Sequence, residues 1–404
     1  MIRQFFHTLL LRRHFWRYAT FSEVAELYAS SMLRKLAINI SAAFVSVFLY
    51  QIGYSIVFIA TYWAMYYFVK IFMAFPAAQY ASKFGPKHGI LLSNLLYIPA
   101  MILFVYVPAF GIPALIATSL LQGASATLYN ICYYINFSKV KSVEHAGKEL
   151  AYMNIIEKIA TGLSPLIGGF LAFVAGPQTT MWAAAILFAL ASIPLLRTGE
   201  PPRSRQMFVF RGFPWRMVYR SLIAETGVGF DLLASGTVWS LLVSVAILGT
   251  GHNDVYAKLG ALLSVVLLAA IASSYVFGRL IDRRRGGELM SVSVIGDALV
   301  HLSRPFVNSI GVVLGVNITN EVATTGYNLA FVRGMFDTAD LSGHRITYVA
   351  CIEVMGNVGA ALAGVAFVIC VMLFGDIQGM RNFFFVAAAA VLIIGTAKFH
   401  LYRR

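Results

Sequence analysis

Charge is what this 404-residue sequence has least of: 12% of its residues are Asp, Glu, Lys or Arg, about half the share of a soluble domain. With 59% hydrophobic residues and a mean hydropathy of +0.76, an ordinary soluble fold is excluded. Length must then be counted in membrane spans of about 20 apolar residues, and there is room for about a dozen. Cysteine is nearly absent as well. Cys132, Cys351 and Cys370 each sit inside an apolar run, so no disulfide framework is implied and they read as small core residues. The patterns of enzymes are missing too: no Cys/His metal spacing, no phosphate-cradling G-x-x-x-x-G-K and no serine nucleophile elbow. No enzymatic activity, metal or cofactor is therefore expected. Transport, if any, would draw on an ion or solute gradient rather than on ATP.

What charge there is has one prevailing sign, with 31 Lys and Arg against 17 Asp and Glu. A nucleic-acid partner would need those cations gathered along a polar segment, whereas they fall in short gaps between apolar runs. The expected partners are instead the lipid bilayer, a small-molecule substrate and protons. Within the first 20 residues Phe5, Phe6, Phe15 and Trp16 alternate with Arg3, Arg12, Arg13 and Arg17. That stretch lacks a small-residue cleavage site and reads as a basic amphipathic helix on an anionic membrane surface.

Apolar runs cut at charged clusters and at Gly/Pro punctuation predict twelve spans, at 36–54, 56–82, 88–108, 112–137, 150–175, 178–197, 223–248, 256–281, 289–310, 312–336, 346–375 and 381–400. Basic residues follow every even span: Lys83 and Lys87, then Lys139 and Lys141, then Arg203 to Arg220, then Arg283 to Arg285, then Arg345, then Arg403 and Arg404. Short cytoplasmic loops are enriched in Lys and Arg, so both termini are expected in the cytoplasm of a multi-pass cell-membrane protein. The organisation is then a cytoplasmic segment 1–35, a six-span half 36–198, a Pro- and Arg-rich linker 199–222 and a second half 223–404. The halves repeat each other. Gly147, Tyr152, Ile156 and Glu157 recur 196 residues later as Gly343, Tyr348, Ile352 and Glu353. Tyr129-Asn130 recurs as Tyr327-Asn328, and Ala25-Glu26 as Ala224-Glu225. An even number of spans per half makes the repeat parallel.

After span 8 the chain reads Gly278-Arg279-Leu280-Ile281-Asp282-Arg283-Arg284-Arg285-Gly286-Gly287. This resembles the G-x-L-A-D-R-x-G-R-R signature of the major facilitator superfamily. The matching turn of the first half keeps Lys83 and Gly85 but has Ser82 where the acid belongs. Gly162, Ser164, Pro165, Gly168 and Gly169 look like a degraded antiporter motif of that superfamily, or simply like small residues that let helices pack. The resemblance spans the chain beyond about residue 20. It implies an all-α membrane fold of twelve helices in two parallel six-helix repeats, with spans 1, 4, 7 and 10 lining a central cavity. It implies a secondary transporter working by alternating access. A small organic or amphipathic solute with proton coupling fits best, and a lipid flippase or a non-transporting scaffold or sensor is the alternative.

An ionisable side chain at the bilayer centre costs at least about 2.5 kcal/mol, so each one is a functional candidate. Span 10 aligns Asn317, Glu321, Thr324 and Asn328 on one face. Glu321, roughly 15 Å from the outer end, is the leading proton or cation site, with a hydrogen-bonded packing carboxyl as the alternative. Asp231 and Trp239 in span 7, Gln122, Tyr129 and Asn130 in span 4, and Asn39 in span 1 are further substrate candidates, although Ser and Asn also commonly bridge helices. Asp297, His301, Arg304 and Asn308 form a stripe in span 9, of which the first three are read as a structural charge cluster because that helix is expected at the periphery, with a proton relay as the alternative. Lys70 of span 2 contacts an anionic substrate or snorkels. Gly278, Asp282, Arg283, Lys83, Gly85 and the repeated Glu157 and Glu353 are candidates for a cytoplasmic gate.

Overall fold

A lipid core offers backbone groups no water, so a chain this apolar must satisfy them within helices. The computed structural model, which describes residues 21–140, 146–196 and 208–402, is helical throughout and has no strand among those residues. The helices are α1 (Phe21–Ala42, carried on by Val45–Gln51), α2 (Ile56–Phe84), α3 (Pro86–Val105), α4 (Ile112–Val140), α5 (Ala146–Ala175) and α6 (Gln178–Ser192). The second set is α7 (Trp215–Leu248), α8 (Asp254–Asp282), α9 (Gly286–Ser303), α10 (Ile310–Leu341), α11 (Arg345–Phe374) and α12 (Asp376–Val391). Among the described residues ten helices are long and apolar enough to cross a membrane. The remaining two, α9 and α10, stand where the ninth and tenth spans are expected. α10 is diluted by Asn317, Asn320, Glu321, Asn328, Arg333 and Asp337.

Local chemistry sets several ends. The Ser55 hydroxyl accepts from the Phe58 N–H and caps α2. Gly85, at φ 94°, turns the chain where an L side chain would be strained, and Pro86 then opens α3 at the first helical position, where its missing N–H costs nothing. Two helix starts differ most from the sequence expectation. α1 starts at Phe21 rather than 36, so Arg34 and Lys35 lie inside the first membrane helix. α7 starts at Trp215, so the stretch from Trp215 to Leu222 is helix rather than linker. In both places Arg and Lys near a helix end resemble loop composition. The amphipathic segment at 1–20, and Arg203 and Arg205 of the linker, lie outside the described residues.

Helices α1–α6 pack among themselves, as do α7–α12, and the two groups join along two seams, α2 against α11 and α5 against α8. Both seams are lined by small residues. A Cβ on Gly169 of α5 would come 2.4 Å from the Tyr256 carbonyl oxygen of α8, and one on Gly364 of α11 would come 2.7 Å from the Ala64 Cβ of α2. Backbones this close gain packing that lipid-facing side chains do not. Gly168 likewise faces the Ile40 carbonyl of α1, and Gly162 faces Leu267 of α8, so the small residues of α5 are accounted for by helix crossings. At the face opposite the basic loops α1 meets the other group directly. Gln51 donates to the Thr250 carbonyl at 3.0 Å and accepts from the Tyr256 hydroxyl at 2.6 Å.

Candidate functional site

Neighbouring residues of an α-helix point about 100° apart, and α5 uses this to serve both groups of helices at once. Glu157 turns inward to Lys35 of α1, forming an ion pair, and accepts from the Tyr133 hydroxyl at 2.8 Å. Lys158 turns the other way and reaches Glu321 of α10 at 2.6 Å, while the Thr325 hydroxyl donates to the same carboxylate oxygen. All four charged side chains retain 15 to 28% exposure. A second inter-group pair lies deeper. Lys70 of α2 is 3.6 Å from Glu353 of α11, with side chains only 7% and 9% exposed. Its ammonium lies over the rings of Tyr66 and Tyr67, so aromatic quadrupoles share the cation with the carboxylate. Asn130 of α4 donates to Glu353 at 3.1 Å, and so does Asn357 at 3.1 Å.

The repeated glutamates therefore differ. Glu353 pairs across the groups and Glu157 within its own, to a cation of a membrane helix rather than of a loop. Lys35 and Lys158 are functional candidates that sequence reasoning missed, although Glu157-Lys158 stood visible as a charged dipeptide within an apolar run. Asn39 donates to the Lys35 carbonyl one turn back. Asn328 is exposed on the face of α10 that carries Glu321, and Gln122 is buried.

Arg34 is the other missed residue. It is fully buried and donates to Asn94 Oδ1 at 2.8 Å and Ser125 Oγ at 3.1 Å. Its guanidinium stands 4.1 Å from the Tyr129 ring centroid. Its described partners are neutral, so the cation is held by dipoles and a π face. Tyr129 is thereby committed to Arg34 and, through its hydroxyl, to Ser31 at 2.8 Å.

The residues expected as a peripheral charge cluster are instead buried between helices and joined to Asp231. In α7 the regular turn widens into π-helical geometry over Leu232–Val238, a distortion frequent at functional sites, and Asp231 is the last residue before it. Asp231 accepts from the Ser235 hydroxyl at 2.6 Å, from the Tyr327 hydroxyl, and from His301 Nε2 at 2.9 Å. Arg304 reaches Ser235 at 3.0 Å, Asn320 Oδ1 at 2.8 Å and His301 Nδ1 at 2.9 Å. A guanidinium can only donate, so Nδ1 is the acceptor and Nε2 carries the proton. His301 is thus neutral and oriented between Arg304 and Asp231. Asp297 is fully buried 3.8 Å from the same Nε2, and among the described residues neither of its oxygens has a hydrogen-bond partner. Nearby, Asn317 accepts from the Trp239 indole N–H at 2.7 Å and donates to the Leu262 carbonyl.

Asp231, Asp297 and His301 each bring one ligand atom within 4.8 Å of the others. A metal ion suits this cluster poorly, because the histidine lone pair is taken by Arg304 and the guanidinium adds a positive charge alongside. Ionised Asp231 and Arg304 cancel. An ionised Asp297 would leave a net negative charge in the membrane, and one proton removes it.

At the basic face Gly278 is buried, Asp282 ends α8, and Arg283 and Lys83 are exposed beside the turns after α8 and α2. Arg284 takes φ 60° to close its turn. In the first half it is Lys87 that forms a buried ion pair, with Glu26 of α1 at 3.1 Å.

The family model of the Major Facilitator Superfamily matches residues 27–338. No curated protein sequence is significantly similar to the chain. Among solved structures, the human organic anion transporter MFSD10 is 12% identical, with 93% of this chain and all of that one covered at a TM-score of 0.70. The Escherichia coli fucose:proton symporter is 13% identical with 93% and 98% covered at 0.66, and the nucleoside transporter NupG is 12% identical with 92% and 97% covered at 0.68. At these identities the likeness is one of fold.

Proposed function

Because the chain belongs to the major facilitator superfamily of membrane transporters, we propose that it is a proton-coupled secondary transporter of a small organic or amphipathic solute. The two six-helix halves rock about a solute site near the midplane, and both termini face the cytoplasm of the cell membrane. The observation that carries proton coupling is Asp297, a buried carboxyl with no hydrogen-bond partner, next to a neutral histidine already bonded to Asp231. A proton held on Asp297 makes the network neutral. Asp297 lies 3.8 Å from the His301 nitrogen that donates to Asp231, so gain or loss of that proton changes the field on this bond without the imidazole itself carrying the proton.

Glu321 takes a different part from that expected of a lone midplane carboxyl. Its pair with Lys158 joins the halves, and its partial exposure suits a latch that opens when solute or water takes over the two charges. Asn328, two turns along α10, extends this polar face. Reconstitution into proteoliposomes tests the reading. An imposed pH gradient should drive uptake or efflux of a solute found by ligand-dependent thermal stabilisation. Transport unaffected by the gradient removes the coupling, and no solute flux at all leaves the scaffold alternative.

A further inference from the structure

We propose that the first turns of α7 and the end of the chain form a binding site for the phosphate-bearing headgroup of an anionic lipid, separate from the solute path. Arg216, Met217, Tyr219, Arg220, Lys398 and His400 line a half-open cavity of about 530 Å³. Three of the six, Arg216, Arg220 and Lys398, are basic, and none of the six is a carboxylate. The Tyr219 hydroxyl accepts from Arg220 Nε at 2.9 Å, holding that guanidinium in place before any ligand arrives.

The cavity sits where a lipid headgroup would be. It lies at the start of one membrane helix and the end of another, and α7 packs directly on the stretch Leu392–Thr396. One turn deeper into the membrane from Tyr219, Ile223 is exposed, and on the facing segment so are Leu392 and Ile393. An anion bound among the cations would thus have its acyl chains running along apolar side chains. A free phosphate would use only the cationic part. Clusters of Lys and Arg at a membrane surface attract anionic lipids by amounts that make each cation worth roughly fivefold in affinity.

The test uses the purified full-length chain in zwitterionic nanodiscs doped with phosphatidylglycerol, read by native mass spectrometry and thermal unfolding. Wild type should retain bound phosphatidylglycerol and unfold at a higher temperature with it, whereas inorganic phosphate at millimolar concentration should reproduce little of the shift. The Arg216→Gln/Arg220→Gln/Lys398→Gln variant should lose both effects. Arg216→Gln and Lys398→Gln alone alter exposed side chains that leave the fold intact, and each should lower retention roughly fivefold. Retention equal to wild type in the single variants overturns the site. Equal stabilisation by inorganic phosphate overturns the lipid as its occupant.

Discussion

Replacing Asp297 by Asn separates a proton carrier from a structural counterion. If Asp297 holds a proton, the amide substitutes one neutral polar group for another of the same shape, and neither oxygen has a hydrogen bond to lose. Stability should change by less than about 1 kcal/mol. If Asp297 were ionised and held by the Arg304 charge, replacing it by a neutral amide would remove that attraction at a cost of about 3–5 kcal/mol. Asp231→Asn provides the contrast, because Asp231 accepts from His301, Ser235 and Tyr327. Losing a charged acceptor with three donors should cost about 3 kcal/mol or more. Thermal unfolding in one detergent reads both. Infrared spectroscopy reads the proton itself: wild type should show the carbonyl band of a buried neutral carboxylic acid, absent in Asp297→Asn and retained in Glu321→Gln. A band that survives in Asp297→Asn, or a loss of several kcal/mol in that variant, refutes the assignment.

Glu321→Gln keeps the shape of the side chain but breaks the charge pair with Lys158; gradient-driven transport should fall severalfold in proteoliposomes while the protein still folds, and unchanged transport with unchanged pH dependence would make Glu321 a packing residue. Glu353→Gln leaves the Lys70 ammonium facing a neutral amide in a nearly dry site and should lower unfolding stability by about 3 kcal/mol, with the Lys70→Met/Glu353→Leu pair recovering most of it; no recovery would show that the cost lies in packing. Arg34→Met removes a buried cation from Asn94, Ser125 and the Tyr129 face and should cost about 3 kcal/mol, a prediction ended by wild-type stability in denaturant. Arg211→Cys is exposed on the basic face, so an impermeant maleimide should label it only after the membrane is opened; labelling in intact cells would invert the proposed topology.

The spans were legible because a membrane imposes a length and an apolar content that composition alone reveals. Their ends were less so. Arg34 and Lys35 look like loop residues until Tyr129, Asn94 and Glu157 are seen around them, and all three belong to other helices. The stripe of Asp297, His301 and Arg304 was visible from its spacing, but spacing does not say which way a stripe faces. It faces Asp231 and Ser235 of α7 and Asn320 of α10, and no local pattern announces those partners or the π-helical turn of α7 beside them. Glu321 was singled out from its depth and from the polar face it shares with Asn317, Thr324 and Asn328. Its partner Lys158 stayed hidden because it sits on another helix, α5, and no spacing along α10 points to it.

Charge is divided between the halves in a way that bears on mechanism. Both inter-half pairs match a cation of the first half with a carboxylate of the second. Any opening between the halves at this level must separate those charges in a medium of low dielectric, so the pairs resist opening until water or a charged solute replaces the missing partner. The buried network is placed to influence that step. Arg304 donates to Asn320, and the next residue along α10 is Glu321. Arrival or loss of a proton at Asp297 changes the field on His301 and Arg304, and through Asn320 it bears on the same turn of α10 that holds the Lys158 latch. Proton occupancy and separation of the halves then act on one helical turn, which is what coupling requires. The Asn320→Ala variant should therefore leave the infrared carboxyl band in place yet weaken gradient-driven transport more than gradient-independent exchange, and equal loss of both would break this link.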